Sequence, residues 1–227
     1  STLLASSAAS DVYKRQTHDY VLFFTNRGKM YRMKGYEIPE TGRAARGSHV
    51  VNLLPIEKDE KISAMIRVDE VENDSYLVMV TRNGTIKRTA LSAYRNVRKG
   101  GIIAINLEEG DELAWVRNTT GEDDLIIATR QGVAIRFAES DVRPMGRTAT
   151  GVRAIRLDEG DEVIAMATCE EGGYLLTVTE NGQGRRTALG EYRTQNRGGR
   201  GVRNYDCEGK GTPVSYTHLT LPTKLEV

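Results

Sequence analysis

Arginine and lysine residues beside glycines recur along this chain of 227 residues at a spacing near 50 residues. The densest cluster, residues 195–201, reads Gln-Asn-Arg-Gly-Gly-Arg-Gly. Adjacent glycines let the backbone approach a phosphate group and offer N–H donors, while guanidinium groups supply planar charge that binds a phosphate bidentately. One such cluster is weak support, because Arg-Gly stretches are also common in flexible turns. Its repetition in register favours phosphate binding.

The positive charge is concentrated in four corresponding stretches. Residues 27–47, 82–99, 130–153 and 182–203 hold 23 Lys and Arg against 5 Asp and Glu, although the chain has a net charge of only +1. In a ring of repeats, equivalent positions share one rim, so the sequence predicts a continuous basic band instead of scattered solvated charges. The predicted phosphate-binding residues are Arg43, Arg46, Lys87, Arg88, Arg95, Arg98, Lys99, Arg143, Arg147, Arg185, Arg186, Arg193, Arg197 and Arg200.

No group of side chains in the sequence supports catalysis. The three histidines are scattered without a Ser or Cys partner in an elbow motif, and no Gly-rich loop carries a phosphate-cradling lysine. Paired carboxylates such as those at 111–112 and 161–162 lie in turns, where solvated residues are expected. We therefore predict no catalytic residue in this chain.

Composition argues against metal, disulfide and membrane functions. Cys169 and Cys207 are the only cysteines and lack zinc-type spacing, so we expect no metal site and a reducing, cytoplasmic setting. No apolar run approaches the roughly 20 residues that a membrane span needs. The first residues also lack the charged start and apolar middle of a signal peptide.

Two series of glycines set the register of the repeats. The first series lies in tight turns after apolar runs, at Arg27-Gly28, Asn83-Gly84, Gln131-Gly132 and Asn181-Gly182. The second follows 17 to 19 residues later, at Gly47, Gly101, Gly151 and Gly201. Such a period with matched turns is typical of solenoids and propellers, in which a unit too small to bury its apolar face stacks on its neighbours.

The pattern of each repeat predicts a blade of four antiparallel strands. In the second repeat, residues 76–80 and 85–89 predict a hairpin, residues 102–107 a third strand and residues 113–117 a fourth. By the same pattern we expect residues 49–53 to pair with 62–68, and residues 152–157 with 163–168.

The predicted architecture is an all-β, propeller-like array of about four blades. Blades are expected at residues 17–73, 74–123 and 124–173, with a partial blade at 174–212 that lacks its last strand. Residues 1–16 and 213–227 match nothing in the repeats and resemble read-through of adapter or contig-end sequence. We expect both to be non-native or disordered extensions, with a native disordered tail as the competing interpretation. Exposed strand edges and blade faces predict marginal stability for such an incomplete ring.

Several segments carry a resemblance to a known family. Residues 42–47 read Gly-Arg-Ala-Ala-Arg-Gly, residues 51–55 read Val-Asn-Leu-Leu-Pro, and residues 143–157 read Arg-Pro-Met-Gly-Arg-Thr-Ala-Thr-Gly-Val-Arg-Ala-Ile-Arg-Leu. In this order they closely resemble the C-terminal domain of the A subunit of DNA gyrase, which is a type IIA topoisomerase, over about residues 17–211. The resemblance implies a six-bladed beta-pinwheel that wraps double-stranded DNA around its basic perimeter.

The resemblance also implies partners and cofactors outside this chain. The family acts with the N-terminal breakage-reunion domain of gyrase A and with the separate gyrase B protein in a heterotetramer. That holoenzyme uses ATP and Mg²⁺ on other domains or subunits to introduce negative supercoils, at the bacterial nucleoid in the cytoplasm. A box of the form Gln-Arg-Arg-Gly-Gly-Lys-Gly marks the first blade of the family. Residues 195–201 depart from it at Asn196 and Arg200, and their position indicates the equivalent loop of a later blade.

Two other functions fit parts of the pattern. The C-terminal domain of the topoisomerase IV A protein is similar, but it steers DNA crossings without strong wrapping. A protein-interaction propeller is the third interpretation, although Trp115 is followed by Val and so lacks the Trp-Asp signature of one common propeller type. Such a scaffold has no need of a charge band that repeats in register.

Overall fold

The computed structural model describes residues 19–39, 49–68, 74–169 and 171–219, the last five of these as backbone only. They form fifteen strands in four antiparallel sheets, which confirms the all-β prediction. No helix of these residues is long and apolar enough to cross a membrane. The strands are β1 (Tyr20–Thr25), β2 (Lys29–Lys34), β3 (Ile62–Val68), β4 (Tyr76–Thr81), β5 (Thr85–Ala90), β6 (Ile102–Ile103), β7 (Leu113–Thr119), β8 (Asp124–Thr129), β9 (Val133–Ala138), β10 (Val152–Arg153), β11 (Val163–Cys169), β12 (Tyr174–Thr179), β13 (Gly184–Ala188), β14 (Val202–Arg203) and β15 (Pro213–Leu219).

Four kinds of strand recur along the chain. We call them a (β1, β4, β8, β12), b (β2, β5, β9, β13), c (β6, β10, β14) and d (β3, β7, β11, β15). Strands a and b form a hairpin, and the first three sheets have the order d–a–b–c. In each of these sheets, strand c comes from the following repeat. The blades are therefore interlocked along the chain.

This exchange of strand c corrects the predicted pairing inside one repeat. Val152 and Arg153 pair with Ile86 and Thr85 of β5, and not with β11. In the first repeat the corresponding stretch is a single 3-10 turn, Val50–Asn52. Among the described residues no preceding sheet is available to receive it. The predicted pairing of residues 49–53 with 62–68 is therefore also wrong.

The fourth repeat has the last strand that the sequence pattern did not show. β15 pairs with β12, and the register shifts between Val178 and Thr179. The equivalent shift occurs between Phe24 and Thr25 in the first sheet, so β15 takes the place of a d strand. The edge of β12 offers unpaired N–H and C=O groups that pair with any extended backbone, whatever its side chains. Residues 213–219 thus belong to the fold, whereas residues 1–18 and 220–227 lie outside the described part.

The apolar core lies between successive sheets. In β4, Leu77 and Met79 pack towards the first sheet, while Val78 and Val80 pack towards the third. This alternation places every second residue of an a strand on each face of its sheet. The d strands of neighbouring sheets contact one another, whereas the c strands end the sheets on the other side. The d strands are therefore central, and the loops that join strand b to strand c follow the outer perimeter.

Candidate nucleic-acid interface

Glycines of both series form the joints that fix the perimeter loops. The carbonyl of Gly28 accepts hydrogen bonds from the next repeat at Ala104 N (2.8 Å), and Gly84 does the same for Ala154 N (2.7 Å). A Cβ on Gly151, in the second series, would lie 2.6 Å from the carbonyl oxygen of Ile86. Each joint locks a hairpin turn to the c strand that follows the perimeter loop of the next repeat.

Cations at the hairpin turns are paired with the acidic turns. Arg82 lies between Glu112 and Glu162, with nitrogen–oxygen distances of 3.2 Å to each carboxylate. Arg130 contacts Glu162 at 3.1 Å, and Arg27 contacts a glutamate of the first repeat at 3.0 Å. Exposed ion pairs contribute little stability, but they neutralise this edge. We call it the hairpin rim, made of the a–b turns and the acidic c–d turns.

The perimeter loops carry the exposed cations. These loops run from the 3-10 turn after strand b to strand c, over residues 91–101, 139–151 and 189–201. Eight of the fourteen predicted phosphate-binding residues lie on them: Arg95, Arg98, Lys99, Arg143, Arg147, Arg193, Arg197 and Arg200. Arg147 and Arg197 are half-buried, and the other six are exposed. The structure therefore brings cations of three successive repeats to one outer edge.

Lys87 and Arg88 were predicted to bind phosphate, and the structure contradicts this because both side chains are buried. The Lys87 ammonium donates hydrogen bonds to the carbonyl oxygens of Ala104 (2.6 Å) and Arg147. Burial, and to a smaller extent the nearby Arg147 charge, lowers the pKa of Lys87 to about 8. Arg88 lies 3.8 Å from the buried Glu139 carboxylate. Both cations join repeats inside the fold.

Arg88 belongs to a series of equivalent arginines on the b strands. Arg32 donates to the carbonyl of Arg95 (2.6 Å), and Arg136 donates to that of Leu189 (3.0 Å). Each therefore reaches the following repeat. The sequence contains a signal for this series, since the four arginines lie at the same distance from the glycines of their hairpins. Counting the charged residues in each stretch of sequence does not reveal it.

The remaining predicted residues lie elsewhere. Arg185 and Arg186 are exposed on β13, at the positions of Lys87 and Arg88, and Arg186 stacks 4.5 Å from the ring centre of Tyr174. No c strand covers β13 among the described residues. Arg43 and Arg46 lie outside the described residues.

One groove gathers cations from three repeats, including a residue that the sequence analysis missed. It has a volume of about 580 Å³ and lies where β6 joins the first sheet. Arg32, Arg98 and Arg147 line it, together with polar groups of neighbouring loop residues. Its described lining contains no Asp or Glu. Arg32 was not among the predicted binding residues.

Comparison with known proteins divides the chain into the same four repeats. The sequence model described as "DNA gyrase C-terminal domain, beta-propeller" matches residues 19–69, 75–120, 123–170 and 173–210, one segment for each repeat. The chain belongs to this family. The family predicted from sequence is thereby confirmed, and so is the propeller-like fold.

Individual proteins with similar sequences support the same family. The DNA gyrase A protein of Halalkalibacterium halodurans is 57% identical over 141 residues, and that of Clostridium acetobutylicum is 54% identical over 142 residues. These alignments cover 62% and 63% of this chain and 17% of each relative.

Two solved structures have the same architecture. The C-terminal domain of a DNA topoisomerase IV gives a TM-score of 0.83 at 28% identity, over 96% of this chain and 73% of the other. A DNA gyrase A C-terminal domain gives 0.75 at 27% identity, over 91% of this chain and 67% of the other.

Proposed function

We propose that this chain is the DNA-binding and wrapping part of a DNA gyrase A protein, with duplex DNA lying along the perimeter loops. One observation carries this proposal above all others. The cations of the hairpin rim are paired with carboxylates, whereas six cations on three successive perimeter loops are exposed at the outer edge. This arrangement leaves one continuous basic track, and family membership supports the same function.

Contacts on such a track are made to the DNA backbone. Arg and Lys side chains on loops with few aromatic neighbours suit contacts to phosphate oxygens better than stacking on bases or reading groove edges, so we expect binding to be largely indifferent to sequence. Bending 20 to 30 base pairs through 40 to 90 degrees costs on the order of 1 to 6 kcal/mol, which the phosphate contacts must offset. Sequences with flexible base-pair steps are therefore preferred.

In the complete enzyme, this wrapping would allow negative supercoils to be introduced. The proposed partners are the breakage-reunion domain of gyrase A and the gyrase B protein, which use Mg²⁺ and hydrolyse ATP outside this chain. Support comes from the gyrase A relatives, of which the chain spans about a sixth. The proposed site of action is the nucleoid.

The likeness to a topoisomerase IV domain gives a second candidate function. A topoisomerase IV A protein would use the same track to steer crossings without strong wrapping. The complete enzyme distinguishes the two: negative supercoiling of relaxed plasmid supports gyrase, and decatenation without supercoiling supports topoisomerase IV.

The proposal is tested by removing three perimeter charges together. We expect the variant with Arg95, Arg98 and Lys99 changed to Ala to bind a duplex of about 30 base pairs at least about tenfold more weakly. Its salt slope should fall by about 3, one for each lost phosphate contact. Fluorescence anisotropy at several salt concentrations measures both quantities.

The matched control removes three cations from the hairpin rim. Changing Arg27, Arg82 and Arg130 to Ala alters the net charge equally but leaves the track intact. We expect a change in affinity of less than about threefold, because these guanidiniums are paired with carboxylates. Unchanged DNA affinity in the perimeter variant would refute the proposal and favour a protein-interaction propeller.

A further inference from the structure

We propose that the groove lined by Arg32, Arg98 and Arg147 is a seat for one phosphate group, and that it anchors the DNA backbone where the first two blades join. The inference rests on the proposed DNA function and specifies where on the perimeter a backbone phosphate is held most closely. The three guanidiniums come from the first, second and third repeats. A single anion in the groove would therefore be held by three repeats at once.

The first wall of the groove is held in place before any ligand binds. The Arg32 guanidinium stacks 4.6 Å from the ring centre of Tyr20 and donates one hydrogen bond to the carbonyl oxygen of Arg95 (2.6 Å). A guanidinium has five N–H donors, so further donors remain for an anion. Because the group is already oriented, little side-chain entropy is lost when it binds.

The opposite wall is fixed by a buried cation. The Lys87 ammonium donates to the carbonyl oxygens of Arg147 and Ala104, which ties the third-repeat loop to the residue that follows the c strand of the second repeat. The side-chain amide of Asn106 donates to the carbonyl oxygen of Thr148 at 2.6 Å and holds the same loop. Lys87 is thus a positioning residue for Arg147, and its buried charge adds to the positive potential that attracts an anion.

The equivalent joint between the second and third blades lacks an open seat, which shows what makes the first joint different. There Arg88 replaces Arg32 and lies 3.8 Å from the carboxylate of Glu139. The matching position in the second repeat is Leu91, which is buried in the apolar core and leaves Arg32 without that partner.

The other two cations of the groove are also absent or occupied at the second joint. Thr148 stands at the position of Arg98. Arg197, the counterpart of Arg147, donates to the carbonyl oxygens of Asp141 (3.2 Å) and Arg153. At the second joint one cation therefore lies beside a carboxylate and another is tied to two carbonyl oxygens, whereas the first joint leaves three guanidiniums facing one space without a carboxylate in its described lining.

A double-mutant cycle on duplex binding tests the shared phosphate. We expect Arg98→Ala and Arg147→Ala each to weaken binding by about 3- to 10-fold. Together they should weaken it at least about threefold less than the product of the two effects, because both contact one phosphate. Arg98→Ala with Arg193→Ala is the matched pair, whose effects should multiply because the two residues lie on loops of different joints. Multiplicative effects in both pairs would overturn the seat while leaving DNA binding established.

A second probe separates the seat from the DNA function. Inorganic phosphate titrated into the isotope-labelled chain should shift the Arg98 and Arg147 Nε–H signals saturably in an NMR spectrum and leave the paired Arg130 signal unchanged. Saturable shifts without any duplex binding would keep the seat and refute the proposed function. Duplex binding without saturable shifts at these two arginines would refute the seat alone.

Discussion

At the scale of single residues, position within the repeat decides what a cation does. Lys87 lies on a b strand, and its ammonium is buried between two carbonyl oxygens of different repeats. Lys99 lies on the following perimeter loop and is exposed. Burial penalises the charged form of a lysine, which is why the pKa of Lys87 falls from 10.5 to about 8. Identical side chains thus serve as an internal joint and as part of the exposed perimeter that we propose for DNA binding.

This burial makes folding stability depend on pH through Lys87. Between about pH 8 and 10.5 the unfolded chain keeps the Lys87 proton while the folded protein has lost it. The unfolded state then binds more protons, so the free energy of unfolding contributed by Lys87 rises with pH. We expect the difference between wild type and Lys87→Met to rise by about 2–3 kcal/mol over this interval. Urea denaturation at both ends of the interval measures it.

The control for this measurement is Lys99→Met, which removes an exposed lysine from the adjoining loop. Comparing each variant with wild type cancels the titration of all other groups. A difference for Lys87→Met that stays constant across the interval would contradict the burial argument.

At the scale of elements, the exchange of strand c joins each blade to the next. The hairpin glycines make these joints possible, because a side chain there would meet the following repeat. A Cβ on Gly132 would lie 2.3 Å from the carbonyl oxygen of Tyr205, whereas one on Gly182 would have no atom within 4 Å. Their φ angles are nearly equal, at 81° and 75°. Substitutions of Gly132 and Gly182 therefore separate two costs: that of a side chain at a positive φ, and that of a side chain that clashes with the following repeat.

We expect Gly182→Ala to lower the free energy of unfolding by about 1–2 kcal/mol, the cost of a side chain in the left-handed region. Gly132→Ala should cost about 1–3 kcal/mol more, because the Tyr205 carbonyl must move. Hydrogen exchange at Asn204, whose N–H donates to the Gly132 carbonyl at 2.8 Å, should accelerate in Gly132→Ala alone. Equal costs for the two variants would show that the joint contributes nothing.

Much of each element could be predicted from sequence, but not all of the pairing between elements. A short apolar run, an Asn-Gly turn and an alternating segment predicted the hairpin of β4 and β5 to within one residue at each strand end. The partner of strand c could not be predicted, because a strand of two residues is too short for its side-chain pattern to indicate which sheet it joins. β15 was missed for a related reason: the open edge of β12 pairs through the backbone, which leaves no trace in residue type.

The candidate site was likewise predicted only in part. The perimeter loops were predictable because Arg, Lys and Gly recur there in register. Lys87 and Arg88 were wrongly included, since a window of net charge does not tell a buried cation of a b strand from an exposed one of a loop. Arg32 was missed because its surroundings differ from those of Arg88: Leu91 stands where the third repeat has Glu139, a difference whose effect appears only in three dimensions.

At the scale of the whole molecule, a chain with a net charge of +1 has two edges of different character. Ion pairs neutralise the hairpin rim, and six cations of the perimeter loops are exposed. Opposite charges that are separated in space produce a local potential that net charge does not reveal. Since the d strands of successive blades contact one another in the described part of the chain, a track can continue from blade to blade with one charge pattern.

The salt dependence of duplex binding tests this central claim most directly. If about 6 to 10 phosphates are neutralised, a plot of log K against log salt concentration should have a slope of about −5 to −9. Affinity should then fall by roughly a thousandfold or more between about 50 and 200 mM salt. Anisotropy titrations of the wild-type chain with a duplex of about 30 base pairs provide the slope. A slope near zero would contradict a basic track that holds the DNA backbone.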